Sequence, residues 1–153
     1  MKYFLCLAAI VLGAAMTHAQ FTGQTQSQPT QVPAFHAAVP AKGATLPPIL
    51  TLAQLADAGL TQPAQKESYK AAVKASRAIY QMPCYCYCDR GHGHTSLRSC
   101  FESAHGANCS TCMQEALYTY QQLKKGWSTQ MIRDGIMRGD FKLLDLQHPA
   151  PVM

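Results

Sequence analysis

The chain is poor in charged side chains, in long apolar segments and in strand-like patterns. Asp, Glu, Lys and Arg make up 14% of its 153 residues, and the formal net charge is +5. Because no arginine-rich stretch stands out, the sequence predicts no nucleic-acid partner. Beyond residue 19, no segment approaches the roughly 20 apolar residues that cross a bilayer, so we expect no integral membrane segment in the mature chain. Apolar and polar residues do not alternate over any sustained stretch, which argues against a β-fold.

The first 19 residues have the organisation of a secretory signal peptide. Lys2 supplies a positive charge, residues 3–15 form an apolar run, and the small residue Ala19 provides a cleavage site. We therefore expect residues 1–19 to be removed and the mature protein to be exported, to the periplasm or as a secreted protein. Cys6 would leave with the signal peptide, and the six cysteines that remain are an even number.

Composition divides the rest of the chain into three parts. Residues 20–48 are rich in Gln, Thr, Pro and Ala and lack apolar periodicity, which predicts a disordered leader. Residues 49–146 contain the cysteine cluster and the helical patterns, and we expect them to fold as one Cys-rich helical domain. Residues 147–153 include two prolines and are expected to form a flexible tail.

Helix start and stop signals predict an all-α fold, small and irregular, arranged around the cysteine cluster. A capping box at Thr51 begins a short helix that ends by Ala58. Pro63 opens a longer helix that Pro83 stops. The apolar periodicity places Leu52, Val73 and Met131 among the side chains that face the core. The other predicted elements are a loop over 89–95, a short helix that starts near Ser96 and ends at Gly106, a main helix from about Cys109 to Lys125, and a last helix from Thr129 to Met137 capped by Ser128.

Six cysteines and three histidines are concentrated between residues 84 and 112. In an extended segment alternate side chains share one face, so the first three cysteines would project together. Cys109 and Cys112 lie one turn apart at a predicted helix N-terminus, where thiolate is stabilised, and Cys100 lies on the apolar face of its own helix. We therefore expect the sulfurs to converge. The candidate metal ligands are Cys84, Cys86, Cys88, Cys100, Cys109 and Cys112, together with His94 and His105.

This density of cysteine admits two principal interpretations, a metal site and a disulfide framework. An exported protein meets an oxidising compartment, where six cysteines could staple an interaction module. Cysteines at alternate positions are inefficient staples, however, because the gain from a disulfide grows with the loop that it closes. A third interpretation, a thiol oxidoreductase using Cys109 and Cys112, lacks the βαβ context of such enzymes. We expect a metal-binding protein that is not an enzyme.

Among metals, the donor set favours Cu(I), with zinc as the alternative. A c-type haem requires histidine after the second cysteine of its motif, whereas Met113 follows Cys112. A structural zinc ion needs only four ligands, fewer than this cluster supplies. If each thiolate bridges two Cu(I) ions and each ion takes three sulfurs, six thiolates hold about four ions. The expected function is Cu(I) binding, storage or delivery, with a metal donor or acceptor protein as the candidate partner.

The cysteine-rich stretch resembles the bacterial PCYCGC-motif proteins, over roughly residues 66–140. Tyr87 stands where the naming motif has glycine, which adds bulk beside the site. Many relatives look like lipoproteins, whereas this chain has no lipobox. The resemblance implies an exported, cysteine-rich, helical protein and names no particular activity. It is carried by Pro83-Cys84-Tyr85-Cys86-Tyr87-Cys88, Gly93-His94, Ser96-Leu97, Cys100-Phe101, His105-Gly106, Cys109-x-x-Cys112, Glu115-Ala116-Leu117-Tyr118 and Ile132-Arg133.

Overall fold

Helices make up the regular structure of residues 32–153, which are the residues that the computed structural model describes. No β-strand occurs among these residues, so the predicted all-α class is confirmed. Residues 1–31, which contain the predicted signal peptide and the first part of the leader, lie outside the described residues. The α-helices are α1 (Leu52–Asp57), α2 (Pro63–Lys74), α3 (Ser76–Ile79), α4 (Cys88–His92), α5 (Ser110–Lys124) and α6 (Thr129–Arg138), and the 3₁₀ helices are the first (Leu97–Phe101), the second (Ala104–Asn108) and the third (Asp140–Leu143).

The predicted helix starts are confirmed by their capping contacts. The Thr51 hydroxyl accepts a hydrogen bond from the backbone N–H of Gln54 at 3.2 Å, and the Gln54 side chain accepts from the Thr51 N–H at 2.8 Å. Pro63 occupies the start of α2. The Ser128 hydroxyl accepts from the N–H of Met131 at 3.3 Å. These local contacts satisfy backbone groups that a helix end leaves unpaired.

The helix predicted from Pro63 to Met82 is interrupted at Ala75, where φ is −101° and ψ is 16°. Neither glycine nor proline marks this position, and Ala75 is buried, so the interruption is a property of packing. The predicted loop over 89–95 begins instead with α4, a helix of five residues. The single short helix predicted after Ser96 is two separate 3₁₀ helices.

The hydrophobic core lies where α5 packs against α2 and against α6. Tyr69 on α2 meets Phe101 edge to face, with ring centroids 4.9 Å apart, and its hydroxyl donates to the Ser103 carbonyl. Three side chains expected in the core are exposed instead, so that part of the prediction was wrong. They are Leu52, Val73 and Met131, with 38%, 57% and 49% of their surface accessible.

Both ends of the described chain contact this core domain. The backbone of residues 32–48 forms no helix or strand, yet the His36 ring stacks on Tyr80 at a centroid distance of 3.8 Å. At the other end, the Val152 N–H donates to the Glu67 carboxylate at 2.6 Å. Among residues 32–153, no helix combines the length and apolar character that crossing a membrane requires.

Candidate metal centre

A tight turn, and not an extended strand, presents the first three cysteines. The Tyr87 N–H donates to the Cys84 carbonyl at 3.0 Å, and Tyr87 has φ 56° and ψ 31°. Tyr87 is the only non-glycine residue with positive φ among those described. The expectation that Cys84, Cys86 and Cys88 share one face of an extended segment was therefore wrong. Their sulfurs nevertheless converge, because the turn folds the segment over the start of α5.

Three sulfurs from the turn and from α5 form a compact group that we call the sulfur triad: Cys84, Cys86 and Cys112. The Sγ–Sγ distances are 3.3 Å from Cys84 to Cys86, 3.4 Å from Cys84 to Cys112 and 3.6 Å from Cys86 to Cys112. Cys84 and Cys112 are buried, and Cys86 is half-buried. Each sulfur is therefore close to two others, an arrangement suited to three ligands around one soft ion.

A second group combines two sulfurs with two imidazoles. The sulfurs of Cys88 and Cys100 are 3.3 Å apart, and the Nδ1 atom of His94 lies 3.1 Å from the first and 3.3 Å from the second. A ring nitrogen of His105 joins them, so that all four ligand atoms lie within 4.8 Å of one another. We call these four residues the Cys2His2 quartet. They come from α4, the following loop and the first two 3₁₀ helices.

The two groups adjoin, so seven of the eight candidate ligands form one continuous cluster. Cys88 and Cys100 of the quartet also have sulfurs within 4.8 Å of those of Cys84 and Cys86, and Cys100 and His105 form a further group with Cys86 and Cys112 at the same spacing. Cys109 belongs to none of the four-member ligand groups found among the described residues. It is half-buried at the N-cap of α5. None of the six cysteines between residues 84 and 112 forms a disulfide.

The proximity of the thiols couples their protonation. Hydrogen bonding with neighbouring thiols, first of all with Cys112, lowers the pKa of Cys100 to about 4. Hydrogen bonding with Cys100 and Cys112 raises the pKa of Cys84. Some thiols of the cluster therefore favour the thiolate form, which is the form that binds metals and acts as a nucleophile.

Glu115 is a buried acidic residue beside the cluster that the sequence analysis did not select. Its carboxylate accepts the N–H of Tyr85 at 2.9 Å, and its second oxygen is buried without a hydrogen-bond partner. Burial raises the pKa of Glu115 to about 8, although the hydrogen bond from Tyr85 acts in the opposite direction. The side chain anchors the turn that carries Cys84 and Cys86. The sequence signal that could have identified Glu115 is its position as an acidic residue among the apolar residues of the helix predicted from Cys109 to Lys125.

A third imidazole, also outside the predicted ligand set, stands at the edge of the cluster. The His92 ring is 4.7 Å from that of His105 and 5.8 Å from that of His94, between centroids, and it is exposed. Next to His94 opens a cleft of about 520 Å³ that His36, Tyr80 and Ser96 also line. This cleft gives solvent an approach to the quartet side of the cluster.

These features define a small helical protein with a buried cysteine–histidine cluster whose geometry could hold metal. The chain belongs to the family described as proteins of unknown function with a PCYCGC motif, and the family model matches residues 9–142. No curated protein and no solved structure matches the chain. The structure explains the glycine of the motif, because position 87 adopts the left-handed conformation that glycine reaches without steric cost.

Proposed function

We propose that this protein binds Cu(I) through the thiols of its cluster and serves in copper storage, buffering or delivery outside the cytoplasm. The observation that carries the proposal is the sulfur triad, in which three thiols lie 3.3–3.6 Å from one another. Thiolate is the softest ligand that proteins offer, and Cu(I) accepts low coordination by sulfur. The proposed role is binding and not catalysis.

The spacing of the triad supports a three-coordinate ion. With metal–sulfur bonds of about 2.3 Å, three sulfurs around one trigonal ion lie about 4 Å apart. Small adjustments of side-chain rotamers would bring the observed contacts to that spacing. Burial of Cys84 and Cys112 would also protect the ion from water and oxidants.

The cluster edge supports exchange with a partner protein. Cys86 and Cys109 are half-buried, whereas the other four cysteines are buried. A metal donor or acceptor could reach these two sulfurs first and pass the ion by thiolate exchange. Export rests on the N-terminal pattern of residues 1–19.

Anaerobic titration of the reduced, zinc-free protein with Cu(I), against a chromogenic Cu(I) chelator, tests the proposal. We expect more than one ion per chain by elemental analysis, because in the zinc-free protein the thiols of both ligand groups are open to Cu(I). Cys112→Ser is expected to lower the number of ions bound or to weaken binding at least about tenfold, which corresponds to about 1.4 kcal/mol. His148→Ala, an exposed histidine paired with Asp145, is the matched control. No bound copper after full reduction would contradict the proposal.

The two alternatives make different predictions in the same samples. If zinc is the natural ion of the whole cluster, the protein isolated from its source contains zinc that a zinc chelator removes, and it contains no copper. If the cysteines form structural disulfides, the intact mass of the exported protein without reductant is lower by about six hydrogens and no metal is bound.

A further inference from the structure

The Cys2His2 quartet differs in chemistry from the sulfur triad beside it. Three soft sulfurs suit Cu(I), whereas two thiolates with two imidazoles are the donor set of a tetrahedral zinc site. The distances within the quartet allow one ion, since its four ligand atoms lie within 4.8 Å of one another. The ligands of one continuous cluster are therefore of two kinds.

The His105 imidazole provides independent evidence for a ligand at the quartet. Its Nε2 atom is buried and has no hydrogen-bond partner among the described residues. A buried polar atom without a partner costs about 1–3 kcal/mol, so proteins rarely retain one without a reason. Coordination of an ion would satisfy this nitrogen.

The segment that carries the quartet is built from elements that are too short to be stable alone. α4 and the first two 3₁₀ helices have five residues each, and isolated helices shorter than about 12 residues are marginal in water. Gly106 also packs so closely that an added Cβ atom would lie 2.9 Å from the Cys100 carbonyl oxygen. An ion bound by the quartet would tie all three elements together.

We infer that Cys88, His94, Cys100 and His105 form a separate structural site for a zinc-type divalent ion, which fixes the segment 88–108 and leaves the sulfur triad for a soft ion. This inference goes beyond the proposed function and does not depend on copper, because the divalent ion is a structural component and not cargo. Binding free energy at such a site contributes directly to folding of the segment that supplies its ligands.

The test uses Co(II) as a spectroscopic probe of the reduced full-length chain, followed by displacement with Zn(II). We expect one Co(II) per chain with the visible absorption of a tetrahedral ion and thiolate charge-transfer bands. His94→Ala and His105→Ala are expected to weaken Zn(II) binding by at least about tenfold, equivalent to about 1.4 kcal/mol. His92→Ala is the matched control, since this neighbouring imidazole lies outside the quartet.

A second comparison separates two sites from one shared site. Cys112→Ser removes a triad sulfur and is expected to keep the Co(II) spectrum, while Zn(II) should still slow proteolysis within residues 88–108. If circular dichroism shows that Cys112→Ser is unfolded, Cys84→Ser is used as the triad variant instead. Two results would overturn the inference. The first is a parent protein that shows no tetrahedral Co(II) absorption, and the second is loss of that absorption in triad variants that remain folded. Because this experiment uses no Cu(I), its result can be interpreted even if the copper proposal fails.

Discussion

The α2–α5–α6 half of the molecule and the ligand-bearing segment 84–109 are stabilised in different ways. The helical half buries hydrocarbon side chains such as Leu117, Ile132 and Ile136 among helices of 10 to 15 residues. The ligand-bearing segment has elements of five residues and buries the thiols of Cys88 and Cys100 beside Leu97 and Phe101, while the His94 and His105 rings are half-buried. The comparison teaches that hydrocarbon side chains fill the interior of the first region, whereas the interior of the second combines such side chains with most of the clustered thiols.

Polar side chains connect the two regions. The Arg98 guanidinium is buried, donates to the Ser76 hydroxyl at 3.2 Å and to the Pro47 carbonyl at 2.7 Å, and pairs with Glu102. Glu115 extends from α5 to the turn that carries the first cysteines. Glu115 therefore joins the cysteine turn to α5, and the charged Arg98 side chain joins the first 3₁₀ helix to α3 and to residues 32–48.

The largest effect is expected in the helical half. Ile136→Ala removes a buried side chain from α6 and should lower the free energy of unfolding by about 2–5 kcal/mol, because it leaves a cavity. Urea unfolding followed by circular dichroism measures this change. Met131→Ala, on the exposed face of the same helix, should change stability by less than about 0.5 kcal/mol. Equal effects of the two substitutions would contradict the core assignment.

Glu115 tests the connection between the regions. Glu115→Ala should destabilise the protein by about 1–3 kcal/mol, because the N–H of the half-buried Tyr85 loses its acceptor. Glu115→Gln keeps a carbonyl oxygen for that bond and should cost less. Faster reaction of the cluster thiols with a thiol reagent should accompany the alanine change only. An alanine variant with parental stability and thiol reactivity would show that the turn is held by other contacts.

Cys109 tests the boundary of the cluster. Because it lies outside the ligand groups of the described residues, Cys109→Ser should leave the number of bound ions unchanged and slow metal transfer to a competing chelator by several-fold. Cys112→Ser, one turn further along α5, should reduce metal binding itself. Stopped-flow transfer and equilibrium titration distinguish the two effects. If Cys109→Ser lowers the stoichiometry as much as Cys112→Ser does, Cys109 is a full ligand.

Tyr87 tests the cost of a side chain at the glycine position of the motif. Tyr87→Gly should relieve about 1–2 kcal/mol of left-handed backbone strain. Two losses offset this gain: the greater flexibility of glycine in the unfolded chain, and the contact with Arg90, whose guanidinium carbon lies 4.3 Å from the Tyr87 ring centroid. The net change in unfolding free energy should be under about 1 kcal/mol, measured by urea unfolding. Tyr87→Ala lacks the ring and keeps the strain, so it should be less stable than Tyr87→Gly.

The smallest effect is expected at the carboxyl-terminal residues. Burial would raise the pKa of Glu67, but hydrogen bonds from Lys70 and from the Val152 N–H outweigh it and lower the pKa. The folded state therefore binds the proton less well than the unfolded state, and this stabilisation is present above pH 4.5 and lost as the pH falls through the lowered value. Glu67→Gln should flatten that acid dependence by a few tenths of a kcal/mol. Unfolding curves at pH 3 to 6 measure this change. If the contact is unimportant, the free energy of unfolding will depend on pH equally in the variant and in the parent protein.

Sequence patterns predicted the features that depend on neighbouring residues. The capping box at Thr51 and the cap at Ser128 were predictable because they act within a few positions of the chain. The break at Ala75 was not, since no residue there disfavours a helix. The exposure of Met131 was also missed, because apolar periodicity identifies which side of a helix faces the core but not how far the buried surface extends around the helix.

In the metal centre, the sequence by itself determined which ligands are available. The cysteine spacing predicted a convergent thiol cluster, because Cys84, Cys86 and Cys88 fall within five residues and the other cysteines lie on predicted helices of the same small domain. Only the tertiary structure decided how these ligands divide. The left-handed turn at Tyr87 and the two 3₁₀ helices bring Cys84 and Cys86 to Cys112, and Cys88 and Cys100 to His94. Positions of this kind depend on contacts between distant segments, and no local pattern encodes them.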